Sequence, residues 1–205
     1  MTARPALAAA PERVERRASA ETRALLLMAA RRRFAASHYA DVTLRDIAAD
    51  AQVSPALVVK YFGTKEQLLH EAADFGEELA ALLAVPDDEL AEHLVAHLLD
   101  VHEASPSHPL MFLLFMGKRP GAPHTVRQAL HEQFLAPLAD RLGGDADAAL
   151  RAELVCSQLV GLSALRRVLG TAALRDATTE ELVDLCAPLL RSLLRTPQEA
   201  ASEAE

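Results

Sequence analysis

Residues 43–62, TLRDIAADAQVSPALVVKYF, hold two short helix patterns whose start signals, Thr43 and Ser54, lie eleven residues apart across a tight polar break. Thr43 is placed to cap the unpaired N–H groups of the first helix, and Asp46, three residues on, is placed to reach back as the second half of a capping box. Leu44, Ile47 and Ala48 then share one face at helical spacing. After Ala51-Gln52-Val53 the pattern restarts at Ser54, a favoured N-cap, with Pro55 at the first helical position, where a missing N–H costs nothing. Leu57, Val58, Tyr61 and Phe62 supply the apolar side of that second helix.

This is the pattern of a helix-turn-helix, in which the second helix lies in the major groove and its first residues meet base edges. The small start Ser54-Pro55-Ala56 lets the backbone approach closely, and Lys60, one turn later, reaches a phosphate or a guanine edge. Thr43, Arg45, Tyr61, Thr64 and Lys65 complete the candidate DNA-binding residues. Taken alone, the same twenty residues also fit a helical hairpin inside a larger all-α core.

The flanks favour the first reading. Upstream, 22–36 (TRALLLMAARRRFAA) is a helix pattern with Leu26, Ala29, Ala30 and Phe34 inward and Arg31-Arg32-Arg33 outward. Downstream, Thr64-Lys65-Glu66-Gln67 forms another capping box and opens a long helix through Leu68, Leu69, Ala72, Phe75 and Leu79. A helix, a helix-turn-helix and a connecting helix in this order resemble the DNA-binding domain of the tetracycline-repressor (TetR) family of transcriptional regulators. That family's pattern is an alanine-rich helix ending in Phe, a Thr opening the second helix, Ile-Ala, Gly-Val-Ser, a small residue, an aromatic pair and Lys-Glu. It falls here on Phe34, Thr43, Ile47-Ala48, Val53-Ser54, Ala56, Tyr61-Phe62 and Lys65-Glu66.

Three departures stand out. His38 and Gln52 occupy positions where the family usually has glycine, in turns that favour positive φ, so both are expected to adjust those turns, Gln52 at roughly 1 kcal/mol of strain. Val59 replaces a frequent tyrosine that donates to a phosphate, so one backbone contact is expected to be missing.

With 205 residues, half of them apolar, no Trp and few β-branched runs, the chain has an all-α composition and enough length for a sizeable core. The net charge of −8 is unevenly placed. Residues 1–70 hold eleven Lys and Arg against seven Asp and Glu, hence +4; residues 71–205 hold ten against twenty-two, hence −12. A basic reading head on an acidic body fits DNA binding. No apolar run approaches the eighteen or so residues that a membrane helix needs, and a cytoplasmic location is expected. Cys156 and Cys186 read as two buried thiols.

The expected organisation is a mobile basic arm (1–18), a helix-turn-helix DNA-binding domain (19–68), a helical effector-binding and dimerisation domain (69–195) and a disordered tail (196–205). Arg13, Arg16 and Arg17 of the arm are candidates for the DNA backbone or minor groove. In the body, Pro86-Asp87-Asp88 opens a helix to about Ala104, and a short apolar helix spans 110–116. Another spans 123–142, bent at Pro137 and stopped by Gly143-Gly144. The last two run from Asp145 to Leu169, ended by Gly170, and from Thr178 or Thr179 to Leu194, opened by Thr178-x-x-Glu181.

These last two helices are apolar on more than one side and need cover on two faces, one by the body and one by a second copy. The resemblance implies the same homodimer. The expected interface is Leu154, Gly161, Leu162, Leu165, Leu182, Leu185 and Leu189, with Ser163 and Ala164 allowing close approach.

The middle helices are expected to enclose the effector site. Phe75, Leu79, Leu98, Val101, Met111, Phe112, Phe115, Met116 and Phe134 are its apolar candidates, with polar groups from His97, His131 or Ser157. His93-x-x-x-His97 has metal-ligand spacing without the neighbours of a metallopeptidase helix, and neither a metal nor a cofactor is expected. No phosphate loop or nucleophile constellation points to an enzyme. The function so implied is a regulator, a repressor, that binds a pseudo-palindromic operator as a homodimer and leaves it when a small, largely apolar effector binds. A metal-responsive regulator or an effector-independent DNA-binding protein are the alternatives.

Overall fold

The computed structural model describes residues 10–100, 109, 112, 113, 116 and 124–195, with the side chains of 10–17 and of Asp100 outside that description. Every regular element among the described residues is helical. The chain divides into two compact units, Met1–Ala72 and Ala73–Glu205, a division four residues beyond the expected one.

The first unit holds α1 (Ala10–Ala36), a 3₁₀ turn (Tyr39–Asp41), α2 (Leu44–Asp50), α3 (Pro55–Phe62) and α4 (Lys65–Ala72). Helix α1 reaches back to Ala10, so residues 10–18, expected as part of an arm, are helical. The inward faces of the four helices bury Leu26, Ala29, Ala30, Phe34, Ile47, Ala48, Val58, Phe62, Leu68 and Leu69. Their caps explain the boundaries. The Thr43 hydroxyl accepts from the Asp46 N–H at 3.2 Å while the Asp46 carboxylate accepts from the Thr43 N–H at 3.0 Å. Thr64 and Gln67 repeat this at the start of α4, at 2.9 and 3.2 Å. Between α2 and α3, Gln52 takes φ 56, as the glycine-favouring turn requires. His38 does not: it is extended, with φ −66 and ψ 141.

Gly63 ends α3 at φ 71. A Cβ there would overlap the Gln67 side-chain oxygen that caps Thr64. Gly63→Ala is therefore expected to cost about 2 kcal/mol, the sum of a left-handed alanine and a displaced cap. Urea unfolding measures it, and a loss below about 0.5 kcal/mol would contradict this account of the turn.

The second unit holds α5 (Gly76–Leu82), α6 (Leu90–Asp100), α7 (His124–Leu130), α8 (Ala136–Arg141), α9 (Ala146–Ser163), α10 (Ala172–Asp176) and α11 (Thr179–Leu194). The single long helix expected from Thr64 to Leu79 is instead broken between Ala72 and Gly76. The break has its own partners: Asp74 accepts from the Gly76 N–H at 3.2 Å, and Gln133 accepts from the Phe75 N–H at 2.8 Å and donates to the Ala73 carbonyl at 3.3 Å.

The expected bend at Pro137 takes the form of a π-turn, His131–Leu135, between α7 and α8. A proline ring clashes with the carbonyl four residues back, and the wider turn, closed by the Ala136 N–H on the His131 carbonyl, avoids that geometry. A second π-turn, Ala164–Val168, follows α9 and ends at Gly170, φ 60. Helix α11 opens with a full capping box between Thr178 and Glu181.

Helix α11 packs on α6 and α9, and α9 on α8. Arginines close the helix ends. Arg151, buried in α9, donates to the carbonyls of Leu142 at 3.0 Å and Arg195 at 2.5 Å and pairs with Asp147 at 2.8 Å. Arg141 donates to the Val85 carbonyl at 2.6 Å, and Arg167 to the Leu98 carbonyl at 2.7 Å. Contrary to the sequence expectation, the helical stretch Ala146–Val168 is long and apolar enough, by length and composition, to cross a bilayer: it contains an 18-residue window with a mean hydropathy of 1.3.

Candidate nucleic-acid interface

Helix α3 turns Val58 and Phe62 into the core and leaves Ser54, Pro55, Ala56, Val59 and Lys60 exposed. The expected Ser54 cap does not form. Its backbone is extended but its hydroxyl caps nothing, because Pro55 sets the helix start without it and the hydroxyl is left toward solvent. Tyr61 lies half-buried, with its hydroxyl 2.9 Å from Ser19 Oγ. Thr43 and Arg45 are exposed at the start of α2, and Thr64 at the start of α4.

Basic residues divide into two groups. Arg31 and Arg33, expected outward, turn onto the domain: Arg31 donates to the Ala72 carbonyl at 2.9 Å and Arg33 forms a two-pronged pair with Asp50 at 2.7 and 2.5 Å. That pair raises the Arg33 pKa, the Asp50 hydrogen bond being the largest cause. Arg23 pairs with Glu71 and lies over the Phe62 ring at 5.4 Å. Among the described residues of this unit, Arg32, Arg45 and Lys60 are exposed and carry no ion-pair partner.

Lys65 departs most from its expected role. Its ammonium donates to the carbonyls of Tyr39 at 2.8 Å and Val42 at 2.9 Å and sits 4.2 Å from the centre of the Tyr39 ring. Two of its three donors thus hold the turn that leads into α2. Tyr39 in turn donates to Glu66 at 3.0 Å, and burial followed by that bond pushes the phenol up to about 12. Position and charge identified Lys65 as a phosphate contact; only the fold shows the carbonyls within its reach.

A pair of variants separates the two lysines. Lys60→Ala is expected to lower the salt dependence of DNA binding by roughly one unit of slope for the lost phosphate contact. Lys65→Met should lower the unfolding midpoint and leave the slope unchanged. Equal slope losses in both variants would contradict this division of roles.

Two comparisons bear on this geometry. The model of bacterial regulatory proteins of the tetR family matches residues 26–72, and that of the tetracyclin repressor-like C-terminal domain matches residues 88–194. The chain belongs to the TetR family. A solved TetR-family regulator, SCO0857 from Streptomyces coelicolor A3, is 30% identical, with a TM-score of 0.52 over 84% of this chain and 94% of that one. No curated protein matches the chain. As a TetR-family member it is a DNA-binding transcriptional regulator, and its helix-turn-helix is α2 and α3.

The TetR C-terminal region places the remaining candidates unevenly. Phe75, Leu79, Leu98, Phe112, Met116 and Phe134 are buried, with the Phe75 and Phe112 rings edge-on at 5.6 Å. Val101, Met111 and Phe115 lie outside the described residues. His131 is exposed and cannot supply a polar group to that core; Ser157 is also exposed, its hydroxyl donating to the Leu154 carbonyl at 2.7 Å. Ser157, two residues from the buried Val155, lies on the opposite side of α9. His97 is half-buried and its ring stacks on His93, centres 6.2 Å apart.

A cavity of about 270 Å³ opens among α6, α9 and α11, lined by Val95, Leu159, Leu162, Leu165, Leu174, Leu189 and Leu190, with Gln158, Gly161 and Cys186. Four residues named for the interface, Gly161, Leu162, Leu165 and Leu189, therefore also wall this space. Cys156 and Cys186 are free, and burial pushes the Cys156 thiol up to about 11.

Of the interface candidates, Leu154, Leu165, Leu185 and Leu189 are exposed, and Gly161 and Leu162 are partly so. Leu182 is only 3% exposed and Ser163 only 1%. Both face their own chain's core, so neither is available to a partner. Leu150, Val168 and Leu169, also exposed and apolar, were not among the interface candidates; at Val168 and Leu169 the π-turn after Ser163 shifts the helical register.

Proposed function

We propose that this TetR-family chain is a cytoplasmic repressor that binds a pseudo-palindromic operator as a homodimer and releases it when a small, largely apolar effector enters the C-terminal region. The observation that carries the reading is the apolar surface of α9, its π-turn and α11. Leu150, Leu154, Leu165, Val168, Leu185 and Leu189 are 39–71% exposed there, and exposed apolar clusters of this kind mark interfaces. Pairing two copies through a four-helix contact covers them and sets two recognition helices at two half-sites, about 34–36 Å apart or a multiple of that.

The effector's class follows from the walls. The buried set Phe75, Phe112 and Phe134 and the leucine-lined cavity offer dispersion and few heteroatoms. A charged ligand would need paired cations, which the described residues of these walls do not supply. Binding then shifts the population toward a conformation whose heads do not match both half-sites. A displacement screen with labelled operator tests it. Apolar and aromatic compounds should release the DNA, and release only by highly charged compounds or divalent metals would overturn the effector reading.

A further inference from the structure

The exposed face of α3 is mostly apolar. Pro55, Ala56, Val59 and Lys60 fall at i, i+1, i+4 and i+5, on one side of the helix, and all four are exposed, while Val58 and Phe62 beside them are buried. Val59 is 52% exposed, one of only three large apolar side chains in the described part of the first unit left so open. In water that exposure gains nothing. In a major groove it meets the one apolar group base pairs present there, the thymine 5-methyl.

We propose that Val59, with Ala56 beside it, reads thymine methyl groups, and that Lys60, one residue on, reads an adjoining guanine or its phosphate. The occupant is double-stranded DNA, and charge complementarity supports it: Arg32, Arg45 and Lys60 are exposed and carry no ion-pair partner among the described residues. Ala56 brings no side-chain bulk, so the backbone approaches the base edges closely enough for the short Val59 methyls to reach. The Ser54 hydroxyl, which caps nothing, stands exposed just before Pro55 as a further donor or acceptor. Val59 is then a specificity-determining residue. The inference rests on the operator-binding reading above and adds the base it prefers.

The test uses the full chain. Operator sequences are enriched from a random duplex library, and each thymine of the consensus is replaced in turn by deoxyuridine, which keeps the base pair and removes only the methyl group. One or two thymines per half-site should show a loss of about fourfold each, the equilibrium equivalent of one buried methyl. In Val59→Ala, which alters only an exposed side chain and should melt with the wild type, those same losses should vanish while the salt slope stays. An operator indifferent to deoxyuridine at every position, or a Val59→Ala variant that keeps the losses, overturns this inference alone. Failure to enrich any sequence overturns the operator reading together with it.

Discussion

Leu185→Asp should leave the fold intact and abolish the dimer. Leu185 is 71% exposed on α11, so a carboxylate there is solvated in the single chain. In a paired α9–α11 contact the same charge is buried without a partner, at a cost of several kcal/mol. Light scattering at micromolar concentration should change from two chains to one. Operator affinity should fall by at least about a hundredfold, since one half-site loses the avidity of the linked second. The far-ultraviolet circular dichroism should not change. A dimer that persists in Leu185→Asp and in Leu189→Asp would move the interface elsewhere on the molecule.

Arg151→Met should destabilise the second unit by about 3 kcal/mol. Methionine keeps the length and apolar stem of the arginine. What it removes are the donors that satisfy the carbonyls of Leu142 and Arg195 at two helix ends, where no intrahelical partner exists. Arg175→Met is the comparison. That arginine is mostly exposed and pairs only with its neighbour Asp176, so its loss should stay within about 0.5 kcal/mol. Urea unfolding of both decides the matter; equal losses would mean that Arg151 is held by packing rather than by its hydrogen bonds.

What could be read in the chain beforehand was local chemistry. The boxes at Thr43 and Asp46, Thr64 and Gln67, and Thr178 and Glu181 involve residues three apart, so the pattern and the bond coincide. The positive φ of Gln52 belongs to the same kind of inference, because the turn between two fixed helices leaves little choice. Long-range partners were invisible. Lys65 meets Tyr39 and Val42 across more than twenty residues, and Gln133 supports the break at Ala73 and Phe75 from about sixty residues away.

The same limit explains Arg31 and Arg33, whose partners Ala72 and Asp50 turn an apparent outward run onto the domain. Among the candidates proposed for pairing, helical periodicity alone placed each leucine, but a π-turn after Ser163 adds a residue to the register without a sequence signal of its own. Val168 and Leu169 emerged there, while Leu182, on the separate helix α11, packs inward through contacts that its own sequence does not show.

The central claim is that two copies of this chain read one symmetric site. It is tested most directly by the molar mass of the complex formed on an enriched operator duplex, combined with hydroxyl-radical footprinting of both strands. Two chains per duplex, with protections related by a two-fold axis and centred about 34–36 Å apart or a multiple of that, are the predicted result. A single chain bound tightly to an asymmetric site, or even coverage of the duplex without regard to sequence, would contradict it.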